Sequence, residues 1–232
     1  MSGPAVLVLR PEPGASRTAS RLRDAGFRPI LLPLSEIHAL PISETPDPDE
    51  FECVAVTSAN ALRHAPAELV AGFRNMPLFA VGEATAKIAS DLDFSTVIAG
   101  SYDGAALAEM ITEDFGGPVL YLCGHVRRPE FEQILASNNV ELRAIETYDT
   151  IFSDRAAEFR AILEDEGPIS ALCHSPEAAF ALARLIGTMP ETAEKLSVVA
   201  ISARAAEPLL EVDVEVEIAE QPTDDAMISA LG

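Results

Sequence analysis

Short apolar runs alternate with amphipathic stretches from one end of the chain to the other. Runs rich in Val, Ile and Leu predict strands at Ala5–Arg10, Pro29–Leu34, Phe51–Thr57, Pro77–Val81, Thr96–Ala99, Pro118–Cys123, Val140–Thr147, Ile169–His174, Ser197–Ile201 and Val214–Ala219. Strands apolar on both faces belong to parallel sheets covered by helices on both sides. Apolar positions at helical spacing predict helices over Ala15–Ala25, Ala59–Gly72, Glu83–Leu92, Gly104–Phe115, Arg128–Asn138, Asp154–Glu166, Pro176–Ile186 and Arg204–Leu210. Strand and helix in steady alternation predict an α/β fold with open parallel sheets. The polar, proline-rich stretch Pro41–Glu50 reads as a connecting loop.

The pattern repeats, and the repeat wraps around the chain ends. VAVTSANALRHA from Val54 matches ALCHSPEAAFAL from Ala171, with Ser58 opposite Ser175. LFAVGEATAKIASDL from Leu78 matches VVAISARAAEPLLEV from Val198, and VIAGSYDGAALAEMI from Val97 matches EIAEQPTDDAMISAL from Glu217. The next unit, from Val119, has its counterpart at the start of the chain, from Ala5. This permutation predicts a discontinuous first domain, residues 1–35 plus 152–232, and a second domain at 50–147. Two strands then cross between the domains, within 36–49 and 146–152. Two crossings stiffen a link and still leave it a hinge.

Charge narrows the function. Against 37 Asp and Glu stand 16 Lys and Arg, a formal net charge of −21. Nucleic-acid binding needs clustered cations, and so does docking on anionic lipid, so both are disfavoured. The 232 residues are 48% apolar and 23% charged, enough to bury a core without disulfides. Cys53, Cys123 and Cys173 each sit in an apolar stretch and read as buried reduced thiols. The opening MSGPAVLVLRPEPG has no basic region and an apolar run of about six residues, short of a secretory or membrane-spanning segment. A cytoplasmic location is expected. No Cys or His spacing matches a zinc site, so no metal is expected.

In open α/β sheets, ligands bind beyond the carboxyl ends of the strands. The turns there are small, polar and glycine-bearing: Arg10 to Gly14, Thr57 to Asn60, Gly82 to Thr85, Gly100 to Gly104, Gly124 to Arg128, His174 to Pro176, Ser202 to Arg204 and Glu220 to Thr223. Exposed backbone N–H groups with a positive helix-dipole end behind them suit carboxylates. Facing turns from two domains are expected to line an anion-binding cleft. The plainer role for Ser58, Ser175, Thr85 and Thr223 is helix capping. No G-x-G-x-x-G follows the first strand, and neither a P-loop nor a G-x-S-x-G elbow occurs. His38, His64, His125 and His174 are scattered, with no evident nucleophile–base pair. A reaction needing little covalent help and no cofactor is expected.

The ordered set LVLRPEPGASRTASRLRDAGFRPILLPLSEI, VTSANALRHA, FAVGEATA, YLCGHVRRPEFEQILASNNVELRAIETYDT, HSPEAAFALARLI and EQPTDDAMISAL resembles the uroporphyrinogen-III synthase family over essentially the whole chain. The resemblance implies two similar open parallel-sheet α/β domains, flavodoxin- or Rossmann-like, joined by a two-stranded linker. It implies that hydroxymethylbilane, a linear tetrapyrrole bearing acetates and propionates, loses its terminal hydroxyl. The last pyrrole ring then inverts through a spiro intermediate, and the macrocycle closes as uroporphyrinogen III. This is a lyase reaction of tetrapyrrole biosynthesis, leading to haem and, where present, cobalamin, sirohaem and chlorophyll. The family tyrosine falls on Tyr148, a candidate acid, and Thr85 matches the Gly-x-x-Thr turn that opens at Gly82. Ser58 and Ser175, with Arg10, Ser101 and Gly124, fall in turns that would bind substrate carboxylates. Two departures stand out. Ser202-Ala203-Arg204-Ala205 replaces Gly-Pro-Thr-Thr, removing hydroxyls and adding a cation, and His174-Ser175 replaces Thr-Ser. A monomer is expected, and a transient contact with the preceding deaminase is admitted.

Two other readings fit the alternation. A two-lobed ligand-binding module shares the lobes and the crossings, but the expected lack of a leader and of room for an effector domain counts against it. A receiver-like signalling domain would need acidic residues after the first strand, where Arg10-Pro11 stands.

Overall fold

The computed structural model describes residues 3–100 and 103–232. The chain forms two compact units, Met1–Glu36 with Ile151–Gly232, and Ile37–Thr150. Eleven strands and ten α-helices alternate through the described residues.

The discontinuous unit is built on a parallel sheet of β1 (Ala5–Val8), β2 (Arg28–Leu31), β9 (Ile169–Cys173), β10 (Leu196–Ala200) and β11 (Glu215–Ile218). Its order is β2-β1-β9-β10-β11. The three central strands are apolar on both faces because helices cover both. On one face Leu7, Ala171 and Val198 meet Phe159 and Leu163 of α7 (Ala156–Glu166) and Leu182 of α8 (Pro176–Thr188). On the other, Val6, Val8 and Leu172 meet Leu22 of α1 (Gly14–Asp24) and Met227 of α10 (Asp224–Ser229). Each fully buried Leu or Phe contributes about 1.5–3 kcal/mol.

The continuous unit carries β4 (Cys53–Val56), β5 (Pro77–Val81), β6 (Thr96–Gly100), β7 (Val119–Gly124) and β8 (Leu142–Phe152), ordered β6-β5-β4-β7-β8 and parallel. α2 (Ala59–His64), α3 (Ala67–Phe73) and α4 (Gly82–Asp91) cover one face; α5 (Gly104–Asp114) and α6 (Glu130–Ser137) cover the other. β3 (Ser35–Ala39) lies beside β8 at the sheet's edge. The unit boundaries fall inside these two neighbouring strands.

Counted from its own first strand, the continuous unit reads 3-2-1-4-5 and the discontinuous unit 2-1-3-4-5. Both are doubly wound orders. They are circular permutations of each other, with β4 equivalent to β9, β5 to β10, β6 to β11, β7 to β1 and β8 to β2. These are the segments that match in sequence.

Two helical expectations and one loop need correction. The stretch Ala59–Gly72 is two helices, because Pro66 forces Ala65 to an extended φ of −67° and ψ of 139°. Arg204–Leu210 is one α-turn, α9 (Ala203–Ala206), followed by a 3-10 segment at Glu207–Glu211, where Pro208 lacks an N–H to continue an α-helix. Within Pro41–Glu50, the end Pro48–Glu50 winds into a 3-10 turn capped by Asp47.

Candidate functional site

In each unit the strand order reverses direction at one point, and the turns on either side of it form the natural ligand crevice. In the continuous unit that point lies between β4 and β7. Ser58, after β4, caps α2 by accepting from the Asn60 N–H at 3.2 Å. Its neighbour Thr57 bonds the phenol of buried Tyr121 at 2.7 Å, and burial pushes that phenol up to about 12. β7 ends at Gly124, where a Cβ would stand 2.7 Å from Cζ of Tyr148. The absence of a side chain is what lets the Tyr148 ring lie on the strand end. The Tyr148 ring also faces His64, centroid to centroid 6.2 Å.

Behind this pair is a charged lattice. Arg127 donates to Glu132 at 2.6 Å, to Glu146 at 2.7 Å and to the Gly124 carbonyl at 3.2 Å. Burial works against its charge, but the two carboxylates outweigh it and the guanidinium is held more firmly charged than usual. His125 Nδ1 lies 2.8 Å from the other Glu146 oxygen, which raises the histidine and lowers the carboxyl. α4 opens with Gly82 at φ +70°, a left-handed turn that a Cβ would strain. Thr85 is buried, 6% exposed, in the first turn of that helix. It does not cap the helix, contrary to the plainer sequence expectation: the cap position is Val81, with no side-chain bond.

In the discontinuous unit the reversal lies between β1 and β9. Arg10 reaches Asp224, in the first turn of α10, at 3.4 Å, and Thr18 of α1 lies 3.4 Å from the same carboxylate. His174 Nε2 lies 2.9 Å from Asp224. Burial dominates His174 and lowers it, leaving a neutral ring at neutral pH, while the bond to His174 lowers Asp224. Ser175 caps α8, Ser202 caps α9 and Thr223 caps α10, each accepting a backbone N–H at 3.2 Å. A capping hydroxyl uses one lone pair, so its own proton stays available to a carboxylate. Arg204 is exposed on α9. Ser101 lies outside the described residues.

A cavity of about 410 Å³ lies elsewhere in the continuous unit, lined by the later residues of α2 and α4 and by α3, and no candidate residue lines it. Among the described residues no group of three or more His, Cys, Asp or Glu is placed to hold a metal.

The model of the family described as uroporphyrinogen-III synthase HemD matches residues 16–229. The chain belongs to the uroporphyrinogen-III synthase family. The fold agrees. A crystal structure of uroporphyrinogen-III synthetase from Helicobacter pylori superposes with a TM-score of 0.69 at 20% identity, covering 99% of this chain and 98% of that one. A variant uroporphyrinogen III synthase from Thermus thermophilus gives 0.65 at 13% identity, covering 99% and 97%. No curated protein matches the chain by sequence. The two-unit α/β architecture is thus that of solved uroporphyrinogen III synthases.

Sequence reasoning missed the pairings of Asp224, Thr18, Arg127 and Glu146. Asp224 carried one local signal, an acidic residue directly after the Thr223 cap, where helix dipoles favour negative charge. Its meeting with His174, 50 positions away, has no local signature.

Proposed function

We propose that the chain closes hydroxymethylbilane into uroporphyrinogen III, with loss of water and inversion of the terminal ring, as a lyase acting without a cofactor. The family match over residues 16–229 carries this reading. Tyr148 is the candidate acid: its phenol donates a proton or hydrogen bond to the departing hydroxyl. Resting on Gly124, it sits beside the reversal point of its sheet, where a ligand would approach. The hydroxyls of Ser58, Ser175 and Ser202 take substrate carboxylates with the backbone N–H groups around Gly82 and Gly124, and Thr85 assists in the same turn. Arg10 is shared with Asp224, so its charge is partly neutralised before substrate arrives. It serves better as the brace that aims α10 than as an open cation. Arg204, exposed on α9, is the stronger carboxylate partner. Ser101 belongs to the same set by its place in the family pattern.

Most of the catalytic advantage in this reading is geometric. Holding the linear chain so that the terminal ring can turn over replaces a wide search with one conformer. The enzyme works as a monomer in the cytoplasm, taking substrate from the deaminase that precedes it. The 1–35 plus 152–232 and 50–147 segments are its two domains.

The test supplies hydroxymethylbilane, made in place by a deaminase, to the protein after dialysis against EDTA. Porphyrin isomers are resolved after oxidation. The type III isomer should dominate; a mixture no richer in type III than the spontaneous reaction overturns the assignment. Activity lost on dialysis and restored by a metal overturns the cofactor-free part alone.

A further inference from the structure

β7 and β8 run in register from Val119 opposite Leu142 to Cys123 opposite Glu146; then Gly124 pairs with Tyr148. One residue of β8, Thr147, is extra. Bulges are uncommon between parallel strands and recur beside active sites, where they re-aim a side chain.

The effect can be read from the two faces of the sheet. Leu142 and Ala144 pack toward α5 and α6, while Ile145 packs on the opposite side toward α2, α3 and α4. Strict alternation would send Tyr148 to the same side as Leu142 and Ala144. Instead it packs with Ile145. The inserted residue has turned the phenol over to the other face.

Thr147 is fully buried, and its hydroxyl lies 2.8 Å from the Ala61 carbonyl of α2 and 3.3 Å from the Cys123 carbonyl. Its own carbonyl accepts from the Leu40 N–H at 3.0 Å, and the Tyr148 carbonyl accepts from the His125 N–H at 2.8 Å. The extra residue is thus tied to α2 by its side chain and to Leu40 by its main chain, and the next residue, Tyr148, is tied to His125.

We propose that Thr147 is a positioning residue: by bonding the Ala61 carbonyl it stabilises the bulge that sets the Tyr148 ring on Gly124. The proposal rests on the reading of Tyr148 as the acid. Thr147 touches no reacting atom and acts only through Tyr148. Its side chain matters for the hydroxyl, since valine has the same shape and cannot donate.

The test is a double-mutant cycle with an independent structural readout. Thr147→Val should lower kcat by roughly 10-fold, with KM within about twofold, because a small misplacement of a catalytic group is costly while most of the groups proposed to hold carboxylates lie on other turns. Thr147→Ser should restore the rate. In a Tyr148→Phe background, Thr147→Val should cost nothing further, since its only target is gone. NMR contacts between the Tyr148 ring and the Gly124 α-protons should be lost in Thr147→Val and kept in Thr147→Ser. Should Thr147→Val fail to fold, Thr147→Ala takes its place, removing the same hydroxyl, with the same kcat-only loss and the same silence in Tyr148→Phe. Additive losses in the cycle, or wild-type kcat with the ring contacts intact, would overturn the proposal. Wild-type protein making no excess of type III isomer would overturn the functional reading instead, and the ring contacts alone would then judge the positioning role.

Discussion

His174 and His125 are tuned in opposite directions. His174 is buried beside Asp224, and burial lowers it below its ordinary 6.5. The unfolded chain then takes up a proton first as pH falls, so the stability held above 6.5 is lost progressively on the acid side, down to the lowered folded value. Asp224, also lowered, adds a loss only as pH falls below its ordinary 3.8. His125 is raised by Glu146, so its contribution is present at low pH and fades as pH rises through its raised value; fully exposed, it has little weight. We predict that unfolding free energy from denaturant titration falls as pH drops below 6.5, with a slope of at most about 1.4 kcal/mol per pH unit. His174→Gln should flatten that slope. An equal slope in the variant would show that another group carries it. A scattered histidine was visible in the sequence; its burial and its carboxylate were not, because both come from helices and strands far away in the chain.

At the level of helices and strands, caps were more legible than breaks, which the sequence reading missed at Pro66 and Pro208. Ser58, Ser175 and Thr223, read as caps from their place in the turns, each cap a helix, and Ser202 does the same. Ser175 also has Pro176 at the first helical position, where a missing N–H costs nothing. Replacing Ser175 with Ala should destabilise the protein by about 1 kcal/mol, and with Gly by a few tenths, measured by denaturant unfolding. If the hydroxyl proton also meets a substrate carboxylate, both variants raise KM by a similar factor, since the two share that loss. Equal KM values with the stability difference intact would confine Ser175 to capping. Thr85 shows the opposite case. Its position three residues into a glycine turn suggested a cap, but Gly82 takes the left-handed turn and Thr85 is carried inside the helix. The bulge at Thr147 left no trace in the ETYDT pattern, because an inserted residue between two polar neighbours does not disturb an apolar period.

The two sheets share one strand order up to circular permutation, and each carries turns of the kind proposed here to bind carboxylates. A ligand that binds the folded chain and not the unfolded one stabilises it by mass action. At a hundredfold excess over Kd, product should add about 2.7 kcal/mol, which raises the melting temperature by roughly 5–10 °C for a chain of this size. The shift should shrink with added salt, because charged contacts at the surface are screened. A melting temperature unmoved by saturating product would mean that these turns do not form the binding surface. A shift indifferent to salt would assign binding to the pyrrole rings and leave the carboxylates without a role.

Short-range physics writes itself into composition, and this chain shows how far that goes. Strands apolar on both faces, their alternation with helical stretches and segment pairs repeating in permuted order were enough to predict the α/β class and the permuted repeat seen in the two sheets. The ordered motifs pointed to the family that the match over residues 16–229 shows. Tertiary structure alone decided which charges meet. Arg10 is drawn to Asp224 because α10 docks beside α1, and Arg127 gathers Glu132 and Glu146 because α6 and β8 flank one strand end. The aim of Tyr148 was likewise beyond the sequence. Alternation places a side chain on one face or the other, and a single extra residue reverses the choice; only the paired strand shows that the insertion is there.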